Sequence, residues 1–153
     1  MSKTVVVSGG FDPIHVGHLR MFQEAAKLGS LTVVINTDEW LLRKKSYVFM
    51  PWEERAEIIS AFDCVDRVVA AKDNDRTVCE TLRELRPDIF ANGGDRGATN
   101  TPESLVCEEL GIKMVYGVGG GKIQSSSDLV DEATQERRKI DLERFHNTVF
   151  TLQ

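Results

Sequence analysis

The sequence predicts a doubly wound α/β fold, a five-stranded parallel sheet with helices on both faces. Two observations carry this. Short β-branched runs alternate with amphipathic stretches of helical period over the first 130 residues, the mark of strand–helix–strand units. The glycine-rich and polar segments all follow the strand runs, and an open α/β sheet gathers such loops at one rim. At 153 residues the chain holds a single domain.

The strands are predicted at Thr4–Val7, Leu31–Ile35, Arg67–Ala70, Asp88–Ala91 and Lys113–Tyr116. Leu19, Phe22 and Ala26 mark the first helix, which should begin near His15–Gly17. Trp52, Ala56 and Ile59 mark the second, with Pro51 at its first position. Val78, Leu82 and Leu85 mark the third, and Leu105, Glu109 and Leu110 a weaker fourth opened by Thr101-Pro102-Glu103. Gly29 and Gly111 suit helix C-caps. Residues 1–130 form the domain, and the charged stretch 131–153 reads as a helical extension ending in Val149, Phe150 and Leu152.

A net charge of −5 gives no global electrostatic case for a nucleic-acid partner. Three scattered cysteines, with no Cys-x-x-Cys, fit neither a disulfide framework nor a zinc site. No apolar run has the length of a signal peptide core or a membrane span. The expectation is a cytoplasmic protein that engages no membrane.

Every unusual residue falls at the carboxyl rim. "SGGFDPIH" (from Ser8) follows strand one, "NTDEWLLRKK" strand two, "NGGDR" (from Asn92) strand four and "GGGKIQSSS" strand five. Gly9 and Gly10 would let backbone approach a ligand or take positive φ. The helix start at His15–Gly17 offers free N–H groups to an anion. His15 and His18, two of only three histidines, can donate toward that same anion, with Gly17 leaving room. A metal reading lacks a third ligand at an obvious spacing. Arg43, Lys44 and Lys45 could clamp phosphates as mobile cations. Arg55 lies in a first helical turn, where the dipole disfavours a cation, so it should have an anionic partner, either a ligand or an internal acid. Gly94, Asp95 and Arg96 are candidates for base or substrate recognition, or plain turn residues. Ser125 or Ser126 would cap the last helix or, with Ser127, bind phosphate there.

Together "GGFDPIHVGH", "NTDEWLLRKK…PWEERAEII", "NGGDR" and "IQSSSDLV" resemble the small nucleotidylyltransferases of the cytidylyltransferase-like superfamily, in order over residues 3–130. The likeness is to the glycerol-3-phosphate cytidylyltransferases and the heptose-phosphate adenylyltransferases, and it implies a Rossmann-like fold. It also implies transfer of CMP, or AMP, from CTP or ATP to a small phosphorylated alcohol or sugar, such as glycerol 3-phosphate, with release of pyrophosphate. The resemblance gives His15 and His18 to the triphosphate and its developing charge. Lys44 would bridge donor and acceptor phosphates, and Arg55 would hold the acceptor phosphate. Gly9, Gly10 and Phe11 would pack against the nucleotide, with Asp12 serving ribose, metal-bound water or the turn. Ser8, Gly17, Asn92, Gly94 and Asp95 complete the nucleotide-binding set, and Ser125–Ser127 would take the β- and γ-phosphates. Mg²⁺ would arrive with the NTP, with no protein metal site. The resemblance also implies a homodimer. Where these cytidylyltransferases carry an arginine before the serine motif, this chain has Gly119-Gly120-Gly121-Lys122, and Lys122 would replace its charge. The resemblance ties "GGDRGATNTPES" to no particular acceptor.

Rival readings remain. Trp40, Phe49 and Trp52 could line a pocket for an aromatic acceptor, making an NMN or FMN adenylyltransferase. The chain could be a non-catalytic nucleotide sensor. Class I aminoacyl-tRNA synthetases share the His-x-Gly-His pattern, but an acidic chain of this length has no room for tRNA.

Overall fold

The computed structural model describes residues 3–73, 77–93, 101–119 and 126–134. Its strands are β1 (Thr4–Gly9), β2 (Ser30–Ile35), β3 (Arg67–Ala70), β4 (Ile89–Ala91) and β5 (Lys113–Val115). They form one sheet, all parallel, in the order β3-β2-β1-β4-β5. The helices are α1 (Val16–Ala26), α2 (Asp38–Lys45), α3 (Trp52–Ser60), α4 (Cys79–Leu85) and α5 (Pro102–Leu110). Residues 126–134 are helical as well. The expected doubly wound sheet is present.

Alternation along the strands builds two cores. Val5 and Val7 of β1, Leu31, Val33 and Ile35 of β2, and Ile89 and Ala91 of β4 face one way, against Phe22 and Ala25 of α1 and Ile59 of α3. Val6, Val34 and Phe90 face the other way, against Cys79 and Leu82 of α4 and Val106 and Cys107 of α5. Strand order reverses between β1 and β4, one followed by a helix on the first face and the other by a helix on the second. The crevice at their carboxyl ends is where such sheets bind ligands.

Several boundaries shift from expectation. Strand one runs on to Gly9 and strand two starts at Ser30, β3 has the expected bounds, and β4 and β5 are each one residue shorter. Asp88 precedes β4, and its carboxylate accepts the Thr4 N–H at 2.8 Å. The segment after β2, expected as a loop, is helix α2. Thr37 caps it, Asp38 and Glu39 fill the first turn, and Arg43, Lys44 and Lys45 the last, so its charges complement the helix dipole. Pro51 is the N-cap of α3 rather than its first residue. On α5 the buried residues are Val106 and Cys107, whereas Leu105 is exposed. Gly29 is no C-cap; α1 is capped by Lys27, and a Cβ at Gly29 would lie 2.3 Å from the Lys3 carbonyl oxygen. Gly111 does cap α5, with φ of 72°. The extension from 131 is helical to 134, and the rest of it lies outside the described residues. Among the described residues no helix is long and apolar enough to cross a membrane.

Candidate active site

The turn after β1 delivers the chain to the N-terminus of α1 at the β1/β4 crevice. His15 is the N-cap. Its Nδ1 accepts from the Gly17 N–H at 3.0 Å, and Nδ1 of His18 accepts from the His15 N–H at 3.1 Å, a reciprocal capping box made of two imidazoles. The rings stack, with centroids 3.7 Å apart. Because both Nδ1 atoms accept, the hydrogen-bond pattern assigns the proton of each neutral ring to Nε2, so both rings are donors at Nε2. Burial, then the neighbouring His15, lowers the His18 pKa to about 3. His18 is therefore a neutral hydrogen-bond donor near pH 7, not a proton source. Helices α2 to α5 each carry an acid in the first turn, and α1 carries none. Its positive end is left for an external anion.

The glycines of the turn make room for neighbouring side chains. Neither Gly9 nor Gly10 has positive φ. A Cβ at Gly9 would meet Phe11 Cζ at 2.9 Å, and one at Gly10 would meet Leu41 Cδ2 at 2.9 Å. They are small so that side chains can close over the turn. At Gly17 a Cβ would stand 2.8 Å from Cε1 of His15, so the missing side chain makes room for the imidazole. Phe11 takes the left-handed φ of 53° and is buried. Its ring meets His18 edge-on at 5.0 Å and Phe22 at 5.1 Å, and Phe22 in turn approaches Phe62 at 6.1 Å. It supports the histidine from below. Asp12, expected to serve ribose, metal-bound water or the turn, serves the turn. Its side chain is fully buried, Oδ2 accepting from Phe49 N–H at 2.7 Å and Oδ1 from Met50 N–H. The Asp12–Pro13 peptide is cis.

Arg55 is corrected most. Its side chain is 0% exposed. Nε donates to Met50 O at 2.9 Å, and Nη1 to Gly10 O at 2.7 Å and Asn36 O at 2.8 Å. Nη2 pairs with Asp38 Oδ1 at 2.6 Å. The anionic partner is an internal acid, and the guanidinium collects carbonyls from three loops. No exposed part of it faces an acceptor phosphate. Lys44 is exposed, with Nζ 4.7 Å above the Trp40 ring. Lys45, expected with Arg43 and Lys44 to clamp phosphates as a mobile cation, is tied to the first loop instead. It is half-buried beside the first loop and donates to Asp12 O at 2.8 Å. Burial pushes its ammonium below the ordinary lysine range, and Asp12 opposes that shift. Nothing in the run Arg43-Lys44-Lys45 told these cations apart; only the helical phase of α2 does.

The far side of the crevice comes from β4, β5 and the last helix. Gly93 and Gly119 pack on Met21 of α1, and a Cβ at Gly119, where φ is 90°, would lie 2.8 Å from the Met21 Cα. Asn92 extends the β4 ladder by donating to Val115 O at 2.7 Å. Its Nδ2, like Oδ1 of Asn36, is buried without a hydrogen-bond partner among the described residues. Ser126 Oγ donates to Pro13 O at 2.7 Å, which fastens the last helix to the histidine turn. Ser127 is exposed, and Ser8 is half-buried at the end of β1. Gly94, Asp95, Arg96, Lys122 and Ser125 lie outside the described residues. Among the described residues no three His, Cys, Asp or Glu side chains gather into a metal-binding group.

A family model described as Cytidylyltransferase-like matches residues 6–138. The chain belongs to the cytidylyltransferase-like family. Its similarity to individual family members is substantial. It is 41% identical over 112 residues to the Bifunctional protein HldE of Syntrophotalea carbinolica, covering 71% of this chain and 22% of that protein. It is 39% identical over 92 residues to the FAD synthase of Archaeoglobus profundus, covering 60% of this chain and 58% of that one. With the D-beta-D-heptose 1-phosphate adenylyltransferase of Bordetella bronchiseptica it shares 35% identity over 115 residues, 72% of this chain and 70% of the relative. The match thus spans under two thirds of the first two relatives. A crystal structure of a lipopolysaccharide core biosynthesis protein from Thermoplasma volcanium superposes with a TM-score of 0.65 at 25% identity. It covers 81% of this chain and 100% of that one. The cytidylyltransferase-like fold therefore stands on sequence and on structure alike.

Proposed function

We propose that this cytidylyltransferase-like protein transfers AMP from ATP to a small phosphorylated acceptor and releases pyrophosphate. The observation that carries the reading is the pair of stacked imidazoles at the start of α1, with both Nε2 atoms as donors and no acid in the first turn. Such an end suits the oxygens of a triphosphate. An acceptor phosphate oxygen attacks the α-phosphorus in line. A new P–O bond forms there as the bond to the β-phosphate's bridging oxygen breaks, and pyrophosphate leaves with that electron pair. The attacking oxygen is already anionic, so no general base is needed. His15 and His18 stabilise charge growing on the phosphates as Nε2 donors, and Lys44 is free to swing between donor and acceptor phosphates. The serines at the last helix would reach the β- and γ-phosphates. Mg²⁺ would come bound to the NTP and neutralise part of its charge. Donor Nε2–H groups suit phosphate oxygens rather than a metal, so the ion is assigned no protein ligand.

Adenylyl transfer is preferred to cytidylyl transfer because the relatives named above include an adenylyltransferase and an FAD synthase. The heptose 1-phosphate in one of those names supports a sugar phosphate as acceptor, and the FAD synthase supports FMN as the second reading. CTP and glycerol 3-phosphate rest on the motif resemblance alone. A cytoplasmic homodimer is part of the same proposal, and light scattering of the purified protein tests the dimer. The deciding experiment measures pyrophosphate release from ATP, CTP, UTP and GTP with Mg²⁺ and each of heptose 1-phosphate, FMN, NMN and glycerol 3-phosphate. Release from ATP with one acceptor is the expected result. ATP binding without release from any pair would favour a sensor or an acceptor outside these four.

A further inference from the structure

The chain has two tryptophans, and the fold treats them oppositely. Trp52 packs against the core of the first face, and its Nε1 donates to Ile35 O at 3.2 Å. Trp40 belongs to neither core cluster. It sits in the first turn of α2, half-buried, on the helix that follows β2 at the carboxyl rim. Its edge borders the histidine turn, since a Cβ at Gly10 would lie 3.9 Å from Cζ3 of the indole. One helical turn on, Lys44 holds its ammonium 4.7 Å over the ring. An indole that the core does not use, beside the reacting loop and topped by a mobile cation, has the parts to bind a ring that carries a phosphate.

We propose that Trp40 is a specificity-determining residue for the acceptor: its indole face is the platform for the acceptor's ring, and Lys44 leaves that face to pair with the acceptor's phosphate. The inference rests on the nucleotidyl-transfer reading and narrows its substrate to ring-bearing phosphates, ahead of open-chain ones such as glycerol 3-phosphate. A sugar ring would lay its C–H face on the indole, and an isoalloxazine would stack flat on it. The ammonium is then exchanged from a weak hold on the ring to a charge-assisted contact with phosphate.

The test separates binding from turnover. In the Trp52→Phe variant, indole emission reports Trp40 alone. Adding heptose 1-phosphate without any nucleotide should change that emission saturably, and adding FMN should quench the flavin's own emission if FMN is the acceptor. Glycerol 3-phosphate should do neither. Trp40→Leu, in the otherwise native chain, should raise the acceptor KM about tenfold, the scale of one lost aromatic contact. The fall in kcat should be smaller, the calorimetric affinity for ATP should be unchanged, and Trp40→Phe should recover most of the KM. Saturable ATP binding with no emission change for any ring-bearing phosphate overturns the platform and leaves nucleotidyl transfer standing. An acceptor KM unchanged in Trp40→Leu does the same. Absence of ATP binding removes the underlying reading instead.

Discussion

At the scale of single residues, His18 carries the sharpest expectations. Its ring donates from Nε2 while Nδ1 is tied to the backbone, and burial holds its pKa near 3. His18→Ala should lower turnover on the order of 10²-fold, the size of one lost transition-state donor, in a steady-state pyrophosphate assay. The depressed pKa also sets a pH dependence of stability. Between the ordinary histidine value and about 3, the unfolded chain binds a proton that the folded chain refuses. Stability from this site is therefore complete above that ordinary value and drains as pH falls. Urea titrations at pH 6 and pH 5 should show the wild type losing about 1 kcal/mol more than His18→Asn. Equal losses would count against a buried, neutral His18. The importance of this residue was legible from "HVGH" alone. What could not be read was that both imidazoles cap the helix, because capping by histidine depends on the ring turning back toward backbone N–H groups, a choice made by φ and χ angles.

At the scale of elements, the site is held by side chains that bind other loops. Arg55 of α3 gathers the carbonyls of Gly10, Asn36 and Met50 and pairs with Asp38 of α2. Arg55→Ala strands these buried acceptors and should cost about 3 kcal/mol or more by urea denaturation. A residue that served only a ligand would leave the unliganded stability where it was. Gly17→Ala makes the opposite case. Alanine in a helix's first turn improves propensity, yet its Cβ would collide with His15. The thermal midpoint should hold or rise while turnover drops about tenfold. Sequence reasoning recognised that Arg55 needed an anion but not which one, since Asp38 lay in a segment taken for loop. The signal was there in Thr37, the two acids and the three closing bases, a capped helix too short for its apolar period to show.

At the scale of the whole molecule, the fold class follows from alternation and connection rules, and the sheet's strands were legible as β-branched runs. The closing of the site was not, because it depends on contacts between residues far apart in sequence, such as Ser126 with Pro13. If ATP binds across these segments it should stabilise the whole domain. At a hundred times its Kd the gain is about 2.7 kcal/mol, read as a rise in Tm of roughly 5–10 °C. One further feature reaches across the molecule. Phe62, Phe22, Phe11, His18 and His15 form a single file of rings that runs past the buried Phe22 to the crevice. Phe11 and Phe22 lie in the core of the first face with Phe62 packed against it, and His15 caps α1 at the crevice. On the nucleotidyl-transfer proposal, turnover becomes a remote gauge of interior packing. A library of Phe22 and Phe62 replacements, sorted by turnover rather than by melting point, would trace how far a misfit of a fraction of an ångström travels before it is felt as chemistry.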